Sequence, residues 1–356
     1  MRVIGSDASS RAAFAGDRSR QIAAAALKAA WWGGAAVAVR AVARPDQSAA
    51  RPFKPSHAPP PDGFFRRAWR EAFDKDAADV AAGLYPPMAD GPGDAARLMR
   101  ETYDVIIDAR KVDARRQRAG GTEARNDAPP GDAFPAYYRQ NFHFQSGGWF
   151  TPQSARRYEG QVEALFAGTA GAMRRRALAL LAEAWRAHDH RGLTVLDLAC
   201  GSGAFLENLA TAFPRARLLG LDLSAAYLSE ARRRAGAAAM IQANGERLPF
   251  ADDSLDAVTC IYLFHELPPG VRPRIAREIA RVLKVGGRLA FADSLQPADE
   301  PRLARLLEAF PAYFHEPFYA SYSETDLQAL FGDAGLTLCG EDRAFLTKAI
   351  LFEKRA

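Results

Sequence analysis

One stretch, LTVLDLACGSGAFLENLATAF at residues 193–213, constrains this chain more than any other. Leu193, Val195, Leu196 and Leu198 form a short apolar run suited to a central parallel strand. The run breaks at Ala199-Cys200-Gly201-Ser202-Gly203, and Phe205, Leu206, Leu209 and Phe213 then recur at helical spacing. Small residues at Ala199, Gly201 and Gly203 let a ligand approach the backbone closely. The helix behind the turn aims its free N–H groups and positive dipole end into a crevice. Open α/β sheets bind nucleotides in that place, at the carboxyl end of a central strand.

The turn alone admits a dinucleotide reading or a purely structural one. A dinucleotide fingerprint needs a third glycine three residues after Gly203, where Leu206 stands instead. Beyond the turn, strand-like and helix-like segments alternate in the α/β manner. Strands are expected at 217–223, 240–243, 255–262 and 288–292, with helices at 225–234 (capped by Ser224) and 272–283 between them. A turn is expected at Val285-Gly286-Gly287. Helices at about 299–311 and 324–333 precede a terminal hairpin pairing 336–340 with 345–352.

The pattern Asp197-x-Ala199-x-Gly201-x-Gly203 resembles motif I of the class I S-adenosylmethionine-dependent methyltransferases. The likeness runs from 194 to 352 through four stations in order, and is strongest to the UbiE-like group of small-molecule methyltransferases. It implies a Rossmann-like α/β domain with a mostly parallel seven-stranded sheet, helices on both faces, and S-adenosyl-L-methionine as cofactor. At the first station the methionine half would lie on the turn, its carboxylate near helix N–H groups and its ammonium near Asp197. At the second, Asp222, 19 residues beyond Gly203, would accept from the ribose hydroxyls, and Leu223 would line the adenine slot. An exposed loop carboxylate or helix cap is the alternative for Asp222.

The third station departs from the family: Ala243-Asn244-Gly245 stands where relatives commonly carry an acid. Asn244 is expected either to accept from adenine through its amide oxygen or to serve as a turn residue. The fourth station is residues 262–267, beginning with Tyr262, which in the family lie beside the sulfonium and face the acceptor. His265 and Glu266 are the general-base candidates, with His265 first because its ordinary pKa is near neutrality. Helix capping or packing is the alternative for both. Tyr158, ahead of the main domain, resembles a tyrosine that some relatives place over the cofactor.

The remainder reads as three regions: an extension at 1–60, a helical, aromatic-rich accessory or cap region at 61–190, and the cofactor-binding domain at 191–356. Residues 1–60 carry 9 Lys and Arg against 3 Asp and Glu, whereas 61–356 carry 38 against 39. The basic excess therefore belongs to the extension, and nucleic-acid binding by the main body is disfavoured. The extension is Ala-rich, with Ile22, Leu27, Trp31, Trp32, Val37 and Val39 in one run. Three readings of it are open: a disordered extension, an interfacial membrane helix with a Trp anchor and basic flanks, or a transit peptide.

Helices are expected within 62–118, with the basic run 111–118 as a solvated helix end and 119–132 as a linker. Between 134 and 150 stand Phe134, Tyr137, Tyr138, Phe142, Phe144, Trp149 and Phe150, with Asn141, His143 and Gln145 among them. These aromatics either pack accessory helices onto the main domain or cap an acceptor pocket. Two further helices are expected, one opened by Thr151-Pro152 and one at 173–187. The three cysteines suit reduced core thiols, and the six histidines form no metal cluster by spacing, so no metal is expected.

The expected activity is methyl transfer to a small or lipid-like, possibly quinone-type, acceptor in the cytoplasm, with or without peripheral membrane contact through the N-terminal tail. A protein or peptide methyltransferase and a non-catalytic cofactor-binding scaffold are the alternatives.

Overall fold

The protein is described from a computed structural model covering residues 7–43, 53–88, 95–118, 123–128, 134–141 and 146–356. Seven strands form one sheet: β1 (Thr194–Leu198), β2 (Arg217–Asp222), β3 (Ala239–Gln242), β4 (Leu255–Ile261), β5 (Leu283–Ser294), β6 (Leu336–Ala344) and β7 (Thr347–Lys354). Their order is β3-β2-β1-β4-β5-β7-β6, with β7 antiparallel to both neighbours and the other pairs parallel. This is the mostly parallel seven-stranded sheet that the resemblance implies. The order reverses beside β1, so the chain leaving β1 enters the crevice at the switch point.

Successive β1 residues face opposite layers, as a pleated strand requires. Leu196 and Leu198 join a core with Ile275 and Ile279 of α8 (Arg272–Val282) and Phe331 of α11 (Leu327–Gly332). Val195 joins the opposite core with Leu178 and Leu181 of α5 (Ala170–Ala184) and Leu206 and Leu209 of α6 (Ala204–Ala212). On α7 (Ala225–Arg234) the Ser224 cap forms as expected, its hydroxyl accepting from the Tyr227 N–H at 3.2 Å. Asp326 caps α11 in the same way. The expected helix at about 299–311 is a 3-10 turn, Pro301–Leu303, followed by α9 (Ala304–Tyr313); a short α10 (Tyr319–Ser323) precedes α11.

The expected turn at 285–287 does not separate two elements. Leu255 pairs with Leu283 and Ala257 with Arg288, so the extra residues loop out within one long β5. Gly286 takes φ +79° there, and a side chain on Gly287 would meet the Lys284 carbonyl oxygen at 2.7 Å. The glycines build a bulge rather than a break.

The extension supplies α1 (Asp7–Val42), and the accessory region supplies α2 (Phe64–Ala81), α3 (Ala95–Gln117) and α4 (Pro152–Leu165). The expectation of a disordered extension is corrected: residues 7–42 form one helix lying along α2 and α3. Its Trp32 and Ala35 are buried against Val105 and Ala164, which explains the order of a segment too poor in large apolar residues to fold alone. Buried polar pairs fix this layer to the main domain. Arg175 of α5 donates twice to Asp76 of α2, at 2.6 and 2.8 Å, and Gln21 of α1 donates to the same carboxylate at 2.6 Å. Arg176 bonds Asp79 of α2 and, at 3.2 Å, Asp342 of β6. Phe142, His143, Phe144, Gln145 and most of the expected linker lie outside the described residues.

Candidate active site

The chain leaves β1 through Ala199 (φ +57°), Gly201 (φ +53°) and Gly203 (φ +83°). β4, on the other side of the switch point, likewise ends on a left-handed residue, Tyr262 (φ +58°). Non-glycine residues hold this conformation only where their surroundings enforce it, and such sites cluster at ligand clamps. Asp222, at the end of β2, ties the turn down. Its Oδ2 accepts from the Gly201 N–H at 2.9 Å and its Oδ1 from the Ser224 N–H at 2.8 Å. Burial raises the Asp222 carboxyl above its ordinary pKa, against those backbone donors.

A cleft opens over these strand ends. Of the expected site residues, Ala199, Gly201, Asp222, Leu223, Asn244, Gly245, Tyr262, Glu266 and Tyr158 line it. Asp197, Gly203 and His265 do not. A Cβ placed on Gly201 would meet only the Tyr227 ring, at 4.0 Å, so that glycine leaves room in the cleft. Gly203 is different, because its α-carbon is packed against a neighbouring helix. A Cβ there would lie 2.8 Å from the Ala231 Cα, so its missing side chain serves the close approach of α7 to the turn.

Asp197 lies behind the wall, buried. Its Oδ1 accepts from the Thr259 hydroxyl at 2.6 Å, while its Oδ2 has no hydrogen-bond partner among the described residues. Burial pushes this carboxyl up to about 7, against the Thr259 hydrogen bond and the nearby Arg174. A buried acid with one unused oxygen beside a glycine turn fits a ligand cation such as an ammonium. The donor set and the room left at Gly201 therefore suit S-adenosylmethionine.

Aromatic rings close the cleft from the accessory side. Trp149, Tyr158 and Tyr227 meet edge to face with centroids 5.3 to 5.8 Å apart. The Ser224 hydroxyl bonds the Trp149 carbonyl, coupling that wall to the strand holding Asp222. Tyr137 donates to Glu246 at 2.8 Å, and Glu246 also pairs with Arg274 at 2.6 Å. The Glu246 N–H in turn donates to the Asn244 amide oxygen at 2.9 Å, so Asn244 is a turn residue as well as a lining one. Within the aromatic block, Phe134, Tyr138 and Phe150 pack on one another, while Tyr137, Tyr138 and Trp149 line the cleft.

Sequence reasoning missed Tyr227, whose only signal was its place in the helix after Asp222. It also missed Glu159, one residue past Tyr158. Glu159 accepts from Ser202 of the turn at 2.6 Å and from Arg174 at 2.6 Å. Burial would raise its carboxyl, but Arg174, Arg234 and Ser202 outweigh that and hold it down to about 2.

His265 lies behind the cleft wall, buried against Asp293. Its Nδ1 lies 2.5 Å from Asp293 Oδ1, and rings of Tyr262, Tyr319 and Tyr322 surround it. Burial alone would lower the imidazole pKa, but Asp293 beside it prevails, with Glu266 and Glu316 adding to the rise, to about 9. The rise favours the protonated ring near neutral pH, whereas a general base must arrive unprotonated. Glu266, next along the chain, is the carboxylate on the cleft wall, 3.7 Å from the His265 Nε2. His265, Glu266 and Glu316 each bring a possible ligand atom within 4.8 Å, a grouping that sequence spacing does not reveal; in its protonated form the ring supplies countercharge there.

The model of the methyltransferase domain family matches residues 195–287. The chain is 33% identical over 169 residues to the ubiquinone/menaquinone biosynthesis C-methyltransferase UbiE of Desulfotalea psychrophila, covering 42% of this chain and 68% of that protein. It is 33% identical over 124 residues to the malonyl-[acyl-carrier protein] O-methyltransferase of Legionella pneumophila, covering 34% and 43%. It is 34% identical over 128 residues to the fatty-acid O-methyltransferase of Mycolicibacterium smegmatis, covering 35% and 45%. With the seven-stranded order and a cleft at its switch point, these likenesses establish that the chain belongs to the UbiE-like class I S-adenosylmethionine-dependent methyltransferases.

Proposed function

We propose that this methyltransferase acts on a small, apolar, lipid-like acceptor, with a quinone-type ring as the first candidate. The observation that carries the reading is the cleft wall. Six aromatic side chains (Tyr137, Tyr138, Trp149, Tyr158, Tyr227 and Tyr262) and several aliphatic ones surround two carboxylates, Asp222 at one station and Glu266 at another. Flat apolar walls with few polar groups orient a planar or oily molecule and offer little to a peptide backbone. Relatives support the same class by name, since they include a quinone and a fatty-acid methyltransferase.

In this reading Asp222 holds the ribose hydroxyls with the lone pairs that Gly201 and Ser224 leave free. Asp197, behind the cleft wall, balances the charge of the ammonium, Leu223, Asn244 and Gly245 frame the adenine, and Tyr158 closes over the cofactor. S-adenosylmethionine, when bound, supplies a methyl group already activated by its sulfonium. The chain contributes alignment, exclusion of water by the aromatic wall, and a carboxylate at Glu266 that takes a proton or orients the acceptor.

The test is transfer of labelled methyl from S-adenosylmethionine, offered in parallel to a lipid extract, to soluble quinol analogues and to peptides. Label in the lipid or quinol fraction is expected. Label confined to peptides would replace the acceptor class, and none anywhere would favour a scaffold.

A further inference from the structure

The outward face of α1 is more apolar than its inward face, the reverse of what water favours. Between Arg20 and Arg40 the helix has two strongly polar side chains, Gln21 and Lys28, and both are turned inward. Gln21 is buried on Asp76, and Lys28 pairs with Glu163 at 2.7 Å. What faces out is Ile22 (45% exposed), Leu27 (62%), Trp31 (37%) and Val37 (68%), with alanines and glycine between. That strip is roughly 24 Å long at 1.5 Å per residue. It continues onto α3, where Thr102 accepts from the Trp31 indole N–H at 2.9 Å and Met99 (55%) and Tyr103 (65%) are exposed one position or one turn away.

We propose that this face lies in the surface of an anionic lipid bilayer, with α1 parallel to the membrane plane. Exposed arginines end the strip on both sides, Arg18 and Arg20 at one end and Arg40 at the other. Exposed Arg100, Arg110 and Lys111 of α3 add to them, against exposed Asp104. A helix with an apolar centre, a tryptophan and basic ends matches the acyl boundary and the phosphates of an anionic leaflet. A second copy fits worse, because pairing along α1 in either direction lays arginine against arginine.

By length and composition α1 can cross a membrane. Spanning would tear Gln21 from Asp76 and Lys28 from Glu163 and carry a lysine into hydrocarbon. The inference does not rest on the acceptor: vesicle binding and methyl transfer are separate readouts.

The experiment is flotation of the full chain with phosphatidylcholine vesicles, with and without about one third phosphatidylglycerol. Flotation with the anionic vesicles alone, weakened by salt, is expected. The Leu27→Glu/Val37→Glu double variant should bind about tenfold less while keeping its circular dichroism and its affinity for S-adenosylmethionine. Three results would overturn the proposal. The wild type could stay at the bottom of the gradient, or the double variant could float equally well. Alternatively, light scattering could show a wild-type dimer, without flotation, that the double variant splits.

Discussion

Asp197, proposed to offset the cofactor's ammonium, carries a burial cost in the fold. Burial raises its carboxyl to about 7, so the folded protein keeps a proton that the unfolded chain releases near pH 4. This group's contribution to stability therefore falls as pH climbs from about 4 to 7 and stays low above that. A ligand ammonium favours the ionised form. Affinity for S-adenosylmethionine should rise about tenfold between pH 6 and 8, following the ionised fraction. Titration calorimetry of the wild type beside Asp197→Asn checks this: the variant should bind weakly with no such slope, and a flat wild-type profile would refute the assignment. His265 carries the same sign in a higher pH window. Its pairing with Asp293 stabilises fully below about pH 6.5, and that contribution is lost as pH rises through about 9.

Among elements, the glycine turn divides its work between two neighbours. Gly201 leaves space toward the cleft, and Gly203 lets α7 approach. Substituting alanine at each position should separate these roles. Gly203→Ala, with a Cβ 2.8 Å from the Ala231 Cα and φ +83°, should lose about 2 kcal/mol of stability, seen as a lower unfolding midpoint. Gly201→Ala should chiefly weaken cofactor binding. The reverse pattern would show that Gly203 faces the ligand after all. Both glycines were legible in the sequence, yet their division of labour was not, because it depends on where α7 docks. The strands beside them were legible too, since period and composition mark a buried parallel strand. β5 was read too short because Gly286 and Gly287 signal a turn whether the chain reverses or merely bulges.

At the scale of the whole molecule, the N-terminal helix is a structural layer as well as an outer face. Removing residues 1–43 would uncover Val105 and Ala164 and take partners from Asp76 and Glu163. The truncated protein should be less stable by at least ~3 kcal/mol, since burial of Trp32 alone is worth about that much. Cofactor affinity should be retained because, among the described residues, none of α1 lines the cleft. An unchanged unfolding midpoint on thermal denaturation would show that the helix merely rides on the surface.

The sequence by itself determined the alternating strands and helices, the glycine turn after β1, and the acids at Asp197 and Asp222. Local patterning and fixed spacing encode those features. Tertiary structure alone decided that His265 is held against Asp293, 28 residues away, and that Glu266 lines the cleft. It also decided that Tyr227 and Tyr137 wall the site and that α1 is ordered. The physical reason is the same in each case. A side chain's charge and exposure are set by neighbours distant in sequence, and no local pattern names them.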